Sequence, residues 1–354
     1  MNPYNSSVWI SDIDQIIDVL PELNELSGKN VMITGCTGLV CSAVVDVFAR
    51  WNRTHNEKIT ILAAARSKNT VERRFFPHTV EKWFVYIPYD ATSVENALNC
   101  PCDYVIHGAS NASPNKIVKE PVETMMSNIM GIKQLLDYAK NWNIKRVLYI
   151  SSSEVYGRKD NNDPFKSDEY GYIDVLNVRN SYSISKRAAE TLCVSYADEY
   201  GVESVIIRPG HIYGPTAIKT DNRVSSAWAY AVARGENIVM KSDGSQIRSY
   251  CYCLDCASAI IKIMICGENR RAYNISNPNS IRSIRDIAEI MSKEAETELI
   301  IEFPTDEERK GFNPMGNSSL DSKELFGLGW KGIFDAETGF SHTVKILRDI
   351  IKGK

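Results

Sequence analysis

Val31-Met32-Ile33-Thr34-Gly35-Cys36-Thr37-Gly38-Leu39-Val40-Cys41 joins an apolar run, a glycine-bearing turn and the start of a helical pattern without a break. A short, continuously apolar run reads as a strand covered on both faces, and helical spacing follows over 39–50. Two glycines between a strand and a helix let the backbone approach a pyrophosphate at the helix N-terminus. The third position of the G-x-x-G-x-x-G spacing is Cys41, a small residue that still permits close helix–strand packing. A tight βα turn without a ligand has the same local sequence, so residues further along must decide between the two.

Working outward, 59–62, 84–87, 104–106, 147–150 and 205–207 read as further strands, with helical stretches over 122–142 and 183–200. This alternation predicts an α/β fold with a doubly wound parallel sheet of the Rossmann kind. Regularity breaks after Arg208, where Pro209, Gly210, Gly214 and Pro215 open a loop-rich region. The expected organisation is an N-terminal helical extension (1–27), a dinucleotide-binding domain (28–208, rejoined by about 246–266) and a smaller C-terminal substrate-binding domain (209–354). In the extension, Ile13, Ile16, Ile17, Leu20 and Leu23 predict an amphipathic helix over 11–26, started by Ser11 and Asp12. Its polar face is acidic, which argues against a membrane surface.

The 354 residues suffice for two domains or one large α/β unit, and 44% hydrophobic with 24% charged residues is ordinary for a globular protein. A formal charge of -3 provides no electrostatic footprint for nucleic acid. No apolar run approaches the roughly 18 residues that cross a bilayer, and the first residues lack a signal-peptide pattern; a cytoplasmic location is expected. Nine cysteines, an odd count, argue for reduced thiols. Cys251, Cys253 and Cys256 invite a metal reading. However, Cys251 and Cys253 alternate with Tyr250 and Tyr252 as on one strand face, and no metal is expected.

Tyr182 and Lys186 stand one helical turn apart on one face. A free tyrosine, with a pKa of about 10, is no base at neutral pH, and lowering it by roughly three units takes about 4 kcal/mol. A nearby ammonium and an oxidised nicotinamide ring could supply that stabilisation. With the glycine turn upstream, the pair suggests hydride-transfer chemistry. The second strand ends Ala63-Ala64-Ala65-Arg66 without the acid that would bind the ribose hydroxyls of NAD. Arg66 could meet a 2′-phosphate, stack on adenine or stand solvated. Asp90, at the end of the third strand, is placed to accept from the adenine amino group.

Taken together, Gly35-x-x-Gly38, His107-Gly108-Ala109-Ser110, Asn128-x-x-Gly131, Ser152-to-Gly157, Tyr182-x-x-x-Lys186 and Ile212-Tyr213-Gly214-Pro215 resemble the extended short-chain dehydrogenase/reductase family. The similarity runs from about Lys29 to Ile260 and, more faintly, to Leu328-Gly329-Trp330, and lies within the nucleotide-sugar epimerases, dehydratases and decarboxylases. Ser152-Ser153-Glu154-Val155-Tyr156-Gly157 and the Asn111-Ala112-Ser113-Pro114 segment are most similar to UDP-glucuronate decarboxylases. So are Asp221-Asn222-Arg223-Val224 and Gly244-Ser245-Gln246-x-Arg248.

The resemblance implies an NAD cofactor, with NADP as the alternative, held by Gly35, Thr37, Gly38, Leu39, Val40 and Arg66. Asp90, Ala91, Ala109, Ser110, Asn128 and Lys186 would complete that site. It places Ser152 and Tyr182 at the 4-hydroxyl of a nucleotide sugar, most simply a UDP-sugar. Ser153, Glu154 and Arg248 would surround carbons 5 and 6, with Ser113, Arg179, His211 and Arg223 as further substrate contacts. Decarboxylation of a UDP-hexuronic acid through a transient 4-ketone is the favoured reaction. Dehydratases usually carry Asp-Glu where this chain has Ser153-Glu154, and simple 4-epimerases usually lack the glutamate; both remain alternatives, as does a non-catalytic dinucleotide sensor. His211 departs from the usual asparagine, and 313–317 replaces the usual arginine-bearing loop. A homodimer through the helices at 122–142 and 183–200 is expected.

Overall fold

The computed structural model describes residues 2–93, 95–303 and 316–353. The six runs expected to be strands are β1 (Asn30–Thr34), β2 (Thr60–Ala65), β3 (Phe84–Pro88), β4 (Tyr104–His107), β5 (Arg146–Ile150) and β6 (Ser204–Pro209). With β10 (Ala272–Ile275) they form an all-parallel seven-stranded sheet in the order β10-β6-β5-β4-β1-β2-β3. The doubly wound fold is therefore present. β10 escaped the sequence reading because it is short and carries a polar residue. Asn274 is 1% exposed, accepts from the Tyr156 hydroxyl at 2.5 Å and donates to the carbonyls of Phe165 and Asp321.

Strand alternation sends successive side chains to opposite faces of the sheet. Val31, Ile33, Ile61, Ala63, Ile106 and Leu148 join a core with α2 (Leu39–Thr54) and α8 (Cys253–Cys266). Met32, Leu62, Val105, Val147 and Tyr149 face the other way, against α5 (Pro121–Trp142) and α6 (Ser181–Tyr200). Both faces are covered, which is why the strands read as unbroken apolar runs. The strand order reverses at β1 and β4, and in doubly wound sheets the crevice at that switch point receives the ligand.

Beyond the sheet, β9 (Ile247–Tyr252) pairs with β7 (His211–Tyr213), β11 (Ile281–Ser283) and β13 (Asn317–Ser318), while β8 (Ile238–Met240) pairs with β12 (Leu299–Ile301). α7 (Val224–Ala233) and α9 (Ile284–Ala295) pack on the C-terminal helix, Ala336–Lys352. Cys251 lies on β9 as expected, but Cys253 does not: it opens α8. No group of residues that could hold a metal ion occurs among the described residues. Nor is any described helix long and apolar enough to cross a membrane.

The N-terminal helix departs from its expected bounds. α1 spans Ser7–Asp18 and is followed by a 3-10 turn, Pro21–Leu26. Asp12 is no start signal: it is fully buried, accepts from the Tyr252 hydroxyl at 3.0 Å and meets His342 Nδ1 at 2.9 Å. Ahead of α1, the Tyr4 hydroxyl donates to Asp46 on α2, which also pairs with Arg74 at 2.6 Å. Asp46 is completely buried and Arg74 nearly so. Removing one partner of such a pair strands the other charge away from water, at a cost of about 3–5 kcal/mol. Arg74→Ala is therefore expected to lower unfolding free energy by that amount in urea melts, and Arg74→Met with Asp46→Leu to recover most of it. An unchanged midpoint for Arg74→Ala would show that the pair is not what ties the extension down.

Candidate active site

At the switch point two backbones meet where side chains would not fit. Gly35 has φ of +66°, and a Cβ there would lie 2.8 Å from the Ala109 amide nitrogen. A Cβ on Gly108 would run into Cys41 Sγ, so the small third position of the turn does serve close packing. Ala109 N–H donates to Thr34 Oγ1 at 3.3 Å, and that hydroxyl also meets His107 Nδ1 at 2.7 Å. Burial, then the Lys186 charge, pushes His107 down to about 3, so it stays neutral.

α2 opens at Gly38 without any side-chain cap. Its first-turn amides, including those of Leu39 and Val40, are thereby presented to an outside acceptor, with Thr37 half-buried beside them. A close backbone approach that a Cβ would block, together with an uncapped helix start, fits the pyrophosphate of a nicotinamide dinucleotide. At the far end of this crevice Asp90 Oδ1 accepts from Thr92 N–H and Oγ1 at 3.0 and 2.8 Å. Burial opposes its ionisation, but those bonds and the Arg66 charge hold the carboxyl below its usual range. Arg66 itself is exposed, and Ala91 is buried beside Gly131.

α6 begins two residues before its expected start, at Ser181, so Tyr182 sits in the first turn and Lys186 in the next. Both are buried. Lys186 Nζ donates to the Ile150 carbonyl at 2.7 Å and lies 4.7 Å from the Tyr149 ring centroid and 5.7 Å from that of Tyr182. Asn128 Nδ2 donates to Ser185 Oγ at 3.0 Å, and its Oδ1 accepts from Ser110 Oγ at 2.7 Å. Ser185 in turn donates to the Tyr182 carbonyl at 3.0 Å. Asn128 and Ser110 thus brace the first turn of α6.

The electrostatics differ from the simple picture of a tyrosine served by a lysine. Burial pushes the Tyr182 phenol above its usual range and Glu154 adds to this, while a Ser152 hydrogen bond and the charges of Arg223 and Arg179 pull it down. Burial also drives Lys186 down to about 7, against the pull of Glu190. The cations that lower the phenol are two arginines outside the Tyr-x-x-x-Lys pattern, in place of the Lys186 ammonium expected from the sequence.

Ser152 accepts from the Glu154 amide at 3.1 Å and caps the 3-10 turn Ser153–Tyr156, leaving Ser153 half-buried at its start. Arg179, in the 3-10 turn Val178–Asn180 before α6, forks onto Glu154 at 3.1 and 3.3 Å. Ser113 precedes the short helix α4 (Pro114–Lys119), which touches that same turn. Arg223 is bound by Asp221 at the start of α7. Arg248 is buried on β9 and donates to the Ile247 carbonyl at 2.9 Å. His211 is exposed on β7 with its ring centroid 5.8 Å from that of Tyr250, and the surrounding protein and the charges of Arg248 and Arg223 push it down. The Arg223 charge acts on both Tyr182 and His211. Of 313–317, Asn313, Pro314 and Met315 lie outside the described residues.

Four residues of this assembly were not singled out from the sequence. Ser183 donates to Glu154 Oε2 at 3.3 Å, and Ser185 braces Tyr182, but a serine inside Tyr-x-x-x-Lys carries no signal of its own. Glu190 and Arg208 form a buried pair at 2.6 Å beneath Lys186, and Arg208 also reaches the Tyr156 hydroxyl at 3.1 Å. A charged residue closing the apolar run of β6 was the available clue.

The chain is similar to several known proteins. The chain is 29% identical over 316 residues to UDP-glucuronic acid decarboxylase 6 of Arabidopsis thaliana, covering 86% of this chain and 84% of that protein. It is 26% identical to UDP-glucuronic acid decarboxylase 1 of Xenopus tropicalis, over 92% of this chain and 74% of that one. In fold it resembles a UDP-glucuronic acid 4-epimerase from Bacillus cereus, solved with NAD and a fluorinated UDP-glucuronic acid. That likeness has a TM-score of 0.75 and 18% identity, over 91% of this chain and 99% of the other. A family model described as NAD dependent epimerase/dehydratase matches residues 31–276, most of the chain. With the glycine crevice and the Tyr182–Lys186 helix in place, this protein belongs to the NAD dependent epimerase/dehydratase family.

Proposed function

We propose that this protein decarboxylates a UDP-hexuronic acid through a transient 4-ketone, redox-neutral overall. The observation that carries the reading is a set of charges around Tyr182 and His211: Glu154, Arg179 and Arg223 act on the phenol, Arg179 forks onto Glu154, and Arg223 and Arg248 act on the imidazole. A site with this many guanidinium groups suits a diphosphate and a sugar carboxylate.

A nicotinamide dinucleotide held at the Gly35–Gly38 turn, with Lys186 beside it, would supply reversible hydride exchange at carbon 4. Tyr182 takes the 4-hydroxyl proton, and Ser152, which lowers that phenol, donates to the developing oxygen charge. The 4-ketone then takes up the electrons of the carbon 5–carbon 6 bond as carbon dioxide leaves, carbon 5 of the resulting enolate takes a proton from water, and Tyr182 gives its proton back to the 4-oxygen as the ketone is reduced. Arg248 would hold that carboxylate through a bidentate pair, with Glu154 and Ser153 beside carbons 5 and 6. Ser153 cannot deliver a proton to a leaving 6-hydroxyl as an aspartate does, which disfavours dehydration. His211 and Arg223 would take the diphosphate. NAD is the proposed dinucleotide, with NADP the alternative that Arg66 keeps open. α5 and α6 pack side by side and expose Val122, Met126, Val194 and Tyr200, which supports a homodimer through these helices.

Two measurements check this chemistry. Incubation with UDP-glucuronate should yield a product lighter by one carbon dioxide in mass spectrometry, whereas UDP-glucose and dTDP-glucose should return unchanged. Unchanged UDP-glucuronate would overturn the reading. Tyr182→Phe should abolish turnover while dinucleotide still co-purifies; activity surviving that change would remove Tyr182 as the base.

Lys186 offers a test without substrate. Its folded pKa of about 7 lies below the ordinary 10.5, so below about pH 7 it is charged in both states and its burial cost is complete. As pH rises from about 7 toward about 10, the folded protein loses a proton that the unfolded chain keeps, and stability grows. In nucleotide-stripped protein, wild type should therefore gain about 2–3 kcal/mol over Lys186→Met between about pH 7 and pH 9, measured by urea melts. A difference that stays flat with pH would contradict the burial of that ammonium.

A further inference from the structure

We propose that Arg179 is a positioning residue: it forks onto Glu154, orients that carboxylate in the cleft and offsets its charge beside Tyr182. The proposal rests on the decarboxylase reading for its substrate, but its physical basis is local. Both Arg179 Nη atoms donate to Glu154, one to each oxygen, at 3.1 and 3.3 Å. Ser183, next to Tyr182 on α6, donates to Oε2 at 3.3 Å. Glu154 is thereby held from two sides by residues that flank the phenol in sequence. The fork is planar and bidentate, a geometry that a lysine does not reproduce.

Two consequences follow from the placement. Glu154 raises the Tyr182 phenol and Arg179 lowers it, so Arg179 offsets part of the effect of Glu154 at the base. In the same cleft, an uncompensated Glu154 would repel a sugar carboxylate, while leaving a neutral sugar comparatively undisturbed. Arg179 therefore sets both the working pH of the base and the tolerance of the site for an anionic sugar, without itself touching the reacting atoms.

The test compares wild type, Arg179→Ala and Arg179→Lys, with circular dichroism confirming that each folds. In the pH profile of kcat, the acid limb should move up by about one unit in Arg179→Ala, a loss of about tenfold on that limb that alkaline pH restores. Arg179→Lys should recover part of the shift, because the charge returns without the fork. A loss of equal size at every pH, or an unmoved limb, would overturn the proposal.

A second reading needs no turnover. By calorimetry, Arg179→Ala should weaken UDP-glucuronate by several-fold more than UDP-glucose, and equal weakening of both would count against it. Wild type that binds UDP-glucuronate but never decarboxylates it would defeat the reaction assigned above, while the binding comparison would still decide the role of Arg179.

Discussion

The site depends on two strand ends approaching with nothing between them. Gly35 and Gly108 close β1 and β4, and at either position a Cβ would drive into the opposing chain, Ala109 in one case and Cys41 in the other. That approach, pinned by Thr34 between His107 and the Ala109 amide, fixes the floor of the crevice where the sheet order reverses. α2 then starts without a side-chain cap, and its amides point where a pyrophosphate would lie. Were these two backbones a side chain's width further apart, the same Tyr182 and Lys186 would face an unshaped gap.

The helix that carries Tyr182 and Lys186, α6, is stabilised by polar groups that its own sequence does not advertise. Asn128 and Ser110 brace the first turn through Ser185, and Lys186 is tied to the end of β5. Beneath it, Glu190 and Arg208 form a buried pair that also holds Tyr156. Such a network is favourable only when every member is satisfied. It gives the helix a single position against β5 and β6, and so sets where the phenol stands. Burial has an electrostatic cost, pressing Lys186 toward neutrality and Tyr182 away from ionisation, and the arginines of the cleft work against the second effect.

Much of this was legible in one dimension. The six apolar strands read correctly because parallel strands covered on both faces must be apolar throughout, and that leaves a pattern in a window of a few residues. The glycine turn and the Tyr182–Lys186 pair were visible for a similar reason: each is a local geometry written in adjacent positions. The failures have a common cause. Asp12 looked like a helix start because an acid near an apolar run usually is one, but its partners Tyr252 and His342 lie 240 and 330 residues away. Cys253 seemed to continue the strand because β9 ends and α8 begins within one step, with no glycine or proline between them.

What the chain determined by itself is the layered sheet, the dinucleotide turn and the presence of a tyrosine and a lysine one helical turn apart, since these follow from periodicity and short-range sterics. Only the tertiary structure decided which charges act on that tyrosine. Arg179, Glu154 and Arg223 converge from separate turns, and electrostatic energy depends on distance and burial through space rather than on separation along the chain.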